Sequence, residues 1–139
     1  MAKYHAKGAL FQYESATGPS VWSTVPCVGD FDMPTVGERD EIDVTNHDST
    51  GDYEETMLGI IRTAVIAVPV TAWDGATTHH AAMVTRAQAN TLTNFKVTTK
   101  DTKVHTFAGY IKGVTTSNPV NGALGATISV KVSGAITIT

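Results

Sequence analysis

Residues 126–132 read Ala-Thr-Ile-Ser-Val-Lys-Val and alternate strictly between apolar and polar side chains. Because successive residues of a β-strand point to opposite faces, this period of two predicts a strand with one face in the core and the other in water. Gly134-Ala135 interrupts the alternation, which predicts a β-bulge before residues 136–139 resume it. The last part of the sequence is therefore predicted to be a core strand.

The rest of the sequence extends this β pattern. Its twenty-two threonines and fifteen valines are β-branched and favour a pleated, half-buried surface. Further strands are predicted over residues 8–13, 21–28, 60–70, 95–98 and 104–116, with a turn at Thr17-Gly18-Pro19-Ser20. The stretch 60–70 is nearly all apolar and is predicted to be a strand that could be buried on both faces, with Pro69 marking an edge or a bend. The glycines of the strand 104–116 predict bending or a close approach of two backbones.

One helix is predicted, over His79–Thr91, a stretch rich in alanine and glutamine. Thr77 or Thr78 can serve as its N-cap. Its apolar stripe is weak, which predicts shallow docking against a sheet. With no internal repeat and no linker, residues 1–139 are predicted to form one mostly β domain.

Charge is distributed very unevenly. Ten of the thirteen acids lie between Asp30 and Glu55, where Arg39 is the only base, so ten acids against one base give this segment a net charge of −9. The remainder holds nine bases and three acids, a net charge of +6. Such a subunit can pair head to tail with copies of itself, and contacts of this kind generate rings or filaments. The alternative is a solvated loop kept extended by repulsion between its acids.

The spacing of the acidic, histidine and cysteine residues matches no catalytic or metal-binding motif. If Gly51 takes the glycine position of a calcium-binding EF-hand loop, Met57 falls where a glutamate is needed. The adjacent His79 and His80 lack the i, i+4 spacing of a helical zinc pair, and a surface or N-terminal-turn role is predicted for them. The single cysteine, Cys27, is predicted to be a small apolar filler. We therefore expect no catalytic residue, no metal and no cofactor.

Composition also bears on partners and location. A net charge of −3 argues against broad nucleic-acid affinity, which usually needs a basic patch. No apolar run approaches the ~20 residues of a membrane span, and the first residues lead into no signal-peptide core. A soluble cytoplasmic product without a membrane partner is expected.

Residues 33–60 resemble the signature region of siphophage major tail tube proteins, the lambda-like family. In that family a proline and acids lead into Ile-Asp-Val-Thr, an Asp-Ser turn, a Tyr-x-Glu and a closing glycine. The matching positions here are Ile42–Thr45, Asp48-Ser49, Tyr53–Glu55 and Gly59. Farther on, Phe107–Tyr110 and Val130–Gly134 resemble two later strands of the family, whereas residues 1–31 carry none of its signature.

The resemblance implies a tail-tube fold: a β-sandwich flanked by one α-helix and a long acidic inter-subunit loop, here about residues 43–56. It implies a structural, non-enzymatic subunit that self-assembles into stacked hexameric rings, the conduit for DNA ejection. The ring-stacking loop residues it points to are Asp43, Thr45, Asp48, Ser49, Asp52, Tyr53, Glu54 and Glu55.

The same resemblance implies partners and a location. Besides copies of itself, the partners would be tail tip or baseplate, tape measure and tail terminator proteins. Viral DNA would pass through the lumen without specific binding. The protein would be made in the host bacterial cytoplasm and reside in the virion tail. Two alternatives stay open: a tube protein like those of type VI secretion, and a β-sandwich binding module.

Overall fold

A computed structural model describes residues 2–16 and 21–139. The turn predicted at residues 17–20 lies outside this part. Its strands and helix follow the order β1 (Leu10–Ala16), β2 (Val21–Thr24), β3 (Arg39–Asp43), β4 (Thr56–Ile61), β5 (Val65–Val70), α1 (Thr78–Ala89), β6 (Thr93–Thr98), β7 (Val104–Ser117) and β8 (Gly125–Ile138).

Six of the strands form one antiparallel sheet in the order β2-β1-β6-β7-β8-β5, while β3 and β4 pair separately. The two ends of the large sheet meet through the segment that follows β2. Val28 forms an isolated bridge with Val70, and Gly29 N donates to Pro69 O at 2.8 Å. The sheet therefore curls over its own inner face, which gives the molecule its sandwich-like layers.

The alternation of β8 places its apolar side chains as predicted. Ala126, Ile128, Val130 and Val132 are all buried, and the intervening side chains are exposed or half-buried. Across the inner face, Phe95 of β6 stacks on Phe11 of β1 and Phe107 of β7, with ring centroids 5.6 and 5.8 Å apart. Aromatic rings supply much of the buried area of a small core, so this column fixes the three central strands.

The bulge predicted in β8 is confirmed. Thr106 pairs with Thr137 and Ala108 with Ser133, so two steps along β7 match four along β8. Gly134 lies inside this irregularity with a φ of 84°, a left-handed conformation that glycine adopts without a Cβ penalty.

The prediction of one strand over residues 60–70 was wrong. The structure ends β4 at Ile61 and begins β5 at Val65. β5 is an edge strand, as Pro69 indicated, and only one of its faces lies on the core, so Ile66, Val68 and Val70 are buried while Val65 is exposed. Cys27 also differs from its prediction as a buried filler, because it is exposed in a turn with a φ of 61°.

Helix α1 confirms the predicted helix within two residues at each end. Thr77 occupies the N-cap position, and Asn90 ends the helix in a left-handed conformation. Only His80 and Met83 are buried among its residues, which agrees with the predicted shallow docking.

Of the two roles predicted for the histidines, His80 has the N-terminal-turn one: it lies in the first turn of α1, is 1% exposed and stacks on Trp73 at 4.6 Å between ring centroids. Its Nδ1 accepts from Asp74 N at 3.1 Å, and its Nε2 lies 3.0 Å from Pro26 O. A proton on Nε2 satisfies both contacts. This buried ring therefore joins the start of the helix to the segment after β2, and it can be explained without any ligand.

Candidate assembly surface

Strands β3 and β4 form a two-stranded ribbon apart from the large sheet. Its register pairs Arg39 with Ile61, Ile42 with Met57 and Asp43 with Thr56. Every residue of both strands is exposed except Gly59, which is half-buried. Isolated two-stranded ribbons are marginally stable in water, so such an element usually depends on other contacts.

Apolar side chains occupy both faces of the ribbon. Ile42 and Met57 are partners in the register and share one face, whereas Leu58, the partner of Glu41, lies on the other. Leu58 is 61% exposed and Ile60 is 67% exposed. Exposed apolar side chains clustered on one element mark interaction sites, while scattered ones need no explanation.

Two side-chain contacts lie at the open end of the ribbon. Arg62 Nε lies 2.7 Å from Asp40 Oδ2, with both side chains more than half exposed. Arg39 Nη1 donates to Gly59 O at 2.9 Å. Solvent-exposed ion pairs contribute at most about 1 kcal/mol, so the Arg62–Asp40 pair adds little to the stability of the ribbon.

The acidic loop connects the two strands of the ribbon, and Thr45 closes its base. Thr45 Oγ1 accepts from Glu55 N at 2.8 Å and also bonds Glu55 O at 3.3 Å. Thr45 N donates to Asp43 Oδ1 at 2.9 Å. Hydrogen bonding from Thr45, side chain first and backbone second, holds the pKa of Asp43 below its ordinary value.

A second set of bonds orders the loop farther out. Asn46 Oδ1 accepts from Asp48 N at 2.9 Å, and Ser49 Oγ accepts from Asn46 N at 3.0 Å. These are the Asx-turn contacts by which short polar side chains fix a turn. The loop is therefore locally ordered although all of its residues except the half-buried Ser49 are exposed.

The predicted site residues thus fall into three groups. Asp43, Thr45 and Glu55 meet at the base of the loop, and Asp48 and Ser49 meet in the Asn46 turn. Asp52, Tyr53 and Glu54 lie beyond them, with Tyr53 82% exposed.

Sequence reasoning missed the ribbon itself, because the charged run Arg39–Asp43 has the composition of a solvated loop. The sequence signal that could have indicated the ribbon was the presence of two apolar residues, Ile42 and Met57, in or beside the acidic segment.

Neither a metal site nor a membrane-spanning helix is present in the described part of the chain. Residues 2–16 and 21–139 contain no group of three or more histidine, cysteine, aspartate or glutamate side chains that could hold a metal ion. Within the same residues, no helix is long and apolar enough to cross a membrane.

No protein-family model matches the sequence, and no curated protein matches it either. Solved structures do match it closely in shape. One is the tail of an empty gene transfer agent (GTA) particle, refined with C6 symmetry, at 17% identity with a TM-score of 0.81. The match covers 99% of both chains.

A second similar structure is the SPP1 tail tube, solved by solid-state NMR and cryo-EM. It is 16% identical with a TM-score of 0.72, over 94% of this chain and 76% of that one. A third is the six-fold symmetrised baseplate of the anti-feeding prophage, 9% identical with a TM-score of 0.69, over 100% and 95% of the two chains.

The chain therefore has the tail-tube fold. The predicted fold class, a mostly β structure with one helix and a long acidic loop, is confirmed, as is the resemblance to tail tube proteins at the level of the fold.

Proposed function

We propose that this chain is a single-domain structural subunit of a long-tailed phage tail tube, and that it acts by assembling with copies of itself. The observation that carries the proposal is the β3–β4 ribbon, which exposes apolar side chains on both faces. A ribbon with two apolar faces has no use in an isolated subunit, but neighbours in a tube would cover it.

The ribbon offers enough apolar surface to drive assembly. Five large side chains on it are between 44% and 67% exposed: Ile42, Met57, Leu58, Ile60 and Ile61. Complete burial of one such side chain contributes about 1.5–3 kcal/mol. Because these are already half covered, their burial would contribute on the order of 5 kcal/mol per subunit before the costs of association.

Charge supports a head-to-tail arrangement of the same subunits. The segment that contains the ribbon and its loop carries −9 while the remainder carries +6. Two unlike surfaces that attract each other form heterologous contacts, which close into rings or propagate as filaments. The C6 and six-fold symmetries of the similar structures support six copies per ring.

The remaining parts of the proposal follow from such a tube. Stacked rings would form the conduit through which viral DNA passes, and a lumen wall with little positive charge would not retain phosphate. Tail tip, tape measure and terminator proteins would be the partners at its ends and inside it. The subunit would be made in the host cytoplasm and reside in the virion tail, with no catalytic role.

A direct test replaces Ile60 by lysine. Ile60→Lys would place a charge in a contact that excludes water, which is costly, so we expect loss of sedimenting assemblies. The matched control is Leu92→Lys, since Leu92 is 52% exposed on the connection between α1 and β6. Both variants should keep the thermal unfolding of the wild type within about 0.5 kcal/mol. Normal assembly of Ile60→Lys would contradict the proposal.

A second candidate function is a component of the tube end rather than of its wall. The similarity to a chain of the anti-feeding prophage baseplate favours it. A tube-end component would form single rings that do not grow, whereas a wall subunit would give tubes whose length increases with concentration.

A further inference from the structure

The connection between β7 and β8 carries the pair Asn121-Gly122 in an exposed turn. All residues from 118 to 124 are exposed, and Val120, next to the pair, is 107% exposed. Connections that run over the surface are more mobile than the strands they join. The side chain of Asn121 and the backbone nitrogen of Gly122 therefore have room to approach each other.

An asparagine that precedes a glycine can react with its own backbone. The nitrogen of Gly122, on losing its proton to a base, attacks Cγ of Asn121. The new N–Cγ bond closes a succinimide ring, and the side-chain nitrogen takes up a proton and leaves as ammonia. Water then opens the ring at either carbonyl, which gives aspartate or isoaspartate at position 121. Glycine favours the attack because it has no Cβ to crowd the nitrogen.

Two of the other asparagines are prevented from this reaction in different ways. Asn118 is followed by Pro119, whose nitrogen carries no hydrogen and cannot attack. The amide of Asn46 is held on both sides, because its Nδ2 donates to Val44 O at 3.1 Å and its Oδ1 accepts from Asp48 N at 2.9 Å. Either bond would have to break before the side chain could turn toward the backbone.

The last two asparagines lie in or beside regular structure. Asn94, in β6, donates from Nδ2 to Glu14 Oε2 at 3.0 Å. Asn90 ends α1, and the nitrogen that would attack it, that of Thr91, donates to Arg86 O at 3.2 Å. Hydrogen bonds therefore engage either the amide or the attacking nitrogen at both positions.

The sequence also contains one aspartate–glycine pair, Asp74-Gly75, which could close the same ring with loss of water. Its carboxylate is engaged, since Asp74 Oδ1 accepts from Ala76 N at 2.9 Å. The backbone of Asp74 is also fixed, because its N donates to Nδ1 of the buried His80 at 3.1 Å. This pair is therefore held away from cyclisation.

We propose that Asn121 is a site of spontaneous deamidation, and that it reacts faster than the other asparagines of the folded chain. The inference does not depend on self-assembly. No charged side chain lies between Gly113 and Val130, so the product places the first carboxylate in this part of the sequence. An aspartate pKa of about 3.9 leaves that group ionised at neutral pH, which adds one negative charge to the net charge of −3.

The change stays confined to the turn. Ser117 pairs with Gly125 where the two strands meet it, and Trp73 N donates to Leu124 O at 2.7 Å. The isoaspartate product lengthens the main chain by one methylene between these anchors. We therefore expect the modified protein to keep its fold.

Peptide mapping by mass spectrometry tests the site. The purified protein is incubated in mildly alkaline buffer and digested, and isoaspartate is labelled with protein isoaspartyl methyltransferase. The peptide that contains Asn121 should gain the mass of an amide-to-acid exchange and accept the methyl label, whereas those with Asn46 and Asn94 should not. An unmodified Asn121, or an equal rate at Asn46, would overturn the proposal.

The same incubation in guanidinium chloride separates the effect of the fold from that of the sequence. Asn46 and Asn94 should react about fivefold faster once their hydrogen bonds are lost. The rate at Asn121 should stay within about twofold of its value in the folded protein, because its turn is already open. A strong acceleration at Asn121 would show that the fold restrains it, and the proposal would then fail.

A pair of glycine variants tests the role of the residue that attacks. Gly122→Ala adds a Cβ beside the nitrogen and should slow the reaction at Asn121 about tenfold. Gly113→Ala is the matched control, because a Cβ there meets nothing within 4 Å, and it should leave the rate unchanged. Equal rates in Gly122→Ala and the wild type would contradict attack by the Gly122 nitrogen.

Discussion

Replacing Gly109 by alanine tests how closely β7 approaches β8 inside the core. Gly109 pairs with Val132, and a Cβ added to it would lie 2.7 Å from Lys131 O and 3.1 Å from Val130 Cγ1. The carbonyl belongs to the central backbone of the sheet and cannot rotate away. Such overpacking costs about 1–3 kcal/mol, so we expect Gly109→Ala to lower the free energy of unfolding by about 2 kcal/mol.

The same strand provides the control. A Cβ added to Gly113 meets nothing within 4 Å. Gly113→Ala should therefore be neutral or stabilising by about 0.4–1 kcal/mol, since alanine reduces the entropy of the unfolded chain.

Urea unfolding followed by circular dichroism measures both variants. For a urea m-value of about 1–3 kcal/mol/M, a loss of 2 kcal/mol lowers the midpoint by roughly 1 M at unchanged slope. Equal midpoints for Gly109→Ala, Gly113→Ala and the wild type would refute the reasoning from the close approach.

Three further predictions concern the loop and the last strand. The triple variant Asp43→Ala, Asp48→Ala and Glu54→Ala should block tube growth while the subunit stays folded, measured by sedimentation and circular dichroism; undiminished polymerisation would remove the loop from the mechanism. Deletion from Ala126 onward should abolish cooperative folding because it removes four buried side chains of β8, and a soluble truncated protein with a sharp thermal transition would contradict this. As pH falls, the base of the loop should stay ordered until the lowered pKa of Asp43 is reached. A carboxylate whose pKa is lowered by folding stabilises the folded state fully above its unfolded pKa, and this stabilisation is lost as pH falls through its folded pKa. The chemical shift of the Thr45 amide in an NMR pH titration reports the protonation of Asp43. A titration midpoint at or above the ordinary aspartate pKa would be inconsistent with this account.

The local sequence pattern was sufficient to predict the structure of a strand that has one face on the core. The alternation of β8 predicted its buried face, and the interruption at Gly134 predicted its bulge, because both depend only on the period of a strand. The expected close approach of backbones was found at Gly109. At Gly113 the space around the backbone is open. The sequence alone did not show which of the two glycines lies at the close approach.

Prediction failed where partners distant in the chain decide the outcome. His80 is buried against Trp73, and its Nε2 lies 3.0 Å from Pro26 O, 54 residues away in sequence. The apolar run from Ile60 to Val70 gave no sign of where the ribbon ends and the edge strand begins.

The candidate site was predicted only in part. Charge and the resemblance located the acidic loop, whereas its ordering bonds and the apolar ribbon beneath it depend on the pairing of β3 with β4. The part that these residues play in assembly stays a prediction.

Electron microscopy of the purified protein over a range of concentrations, with size-exclusion chromatography beside it, tests self-assembly most directly. The account predicts hollow six-fold rings that stack into tubes as the concentration rises. A protein that stays monomeric at every concentration, and also after seeding with tail tips, would contradict it and favour the binding-module alternative.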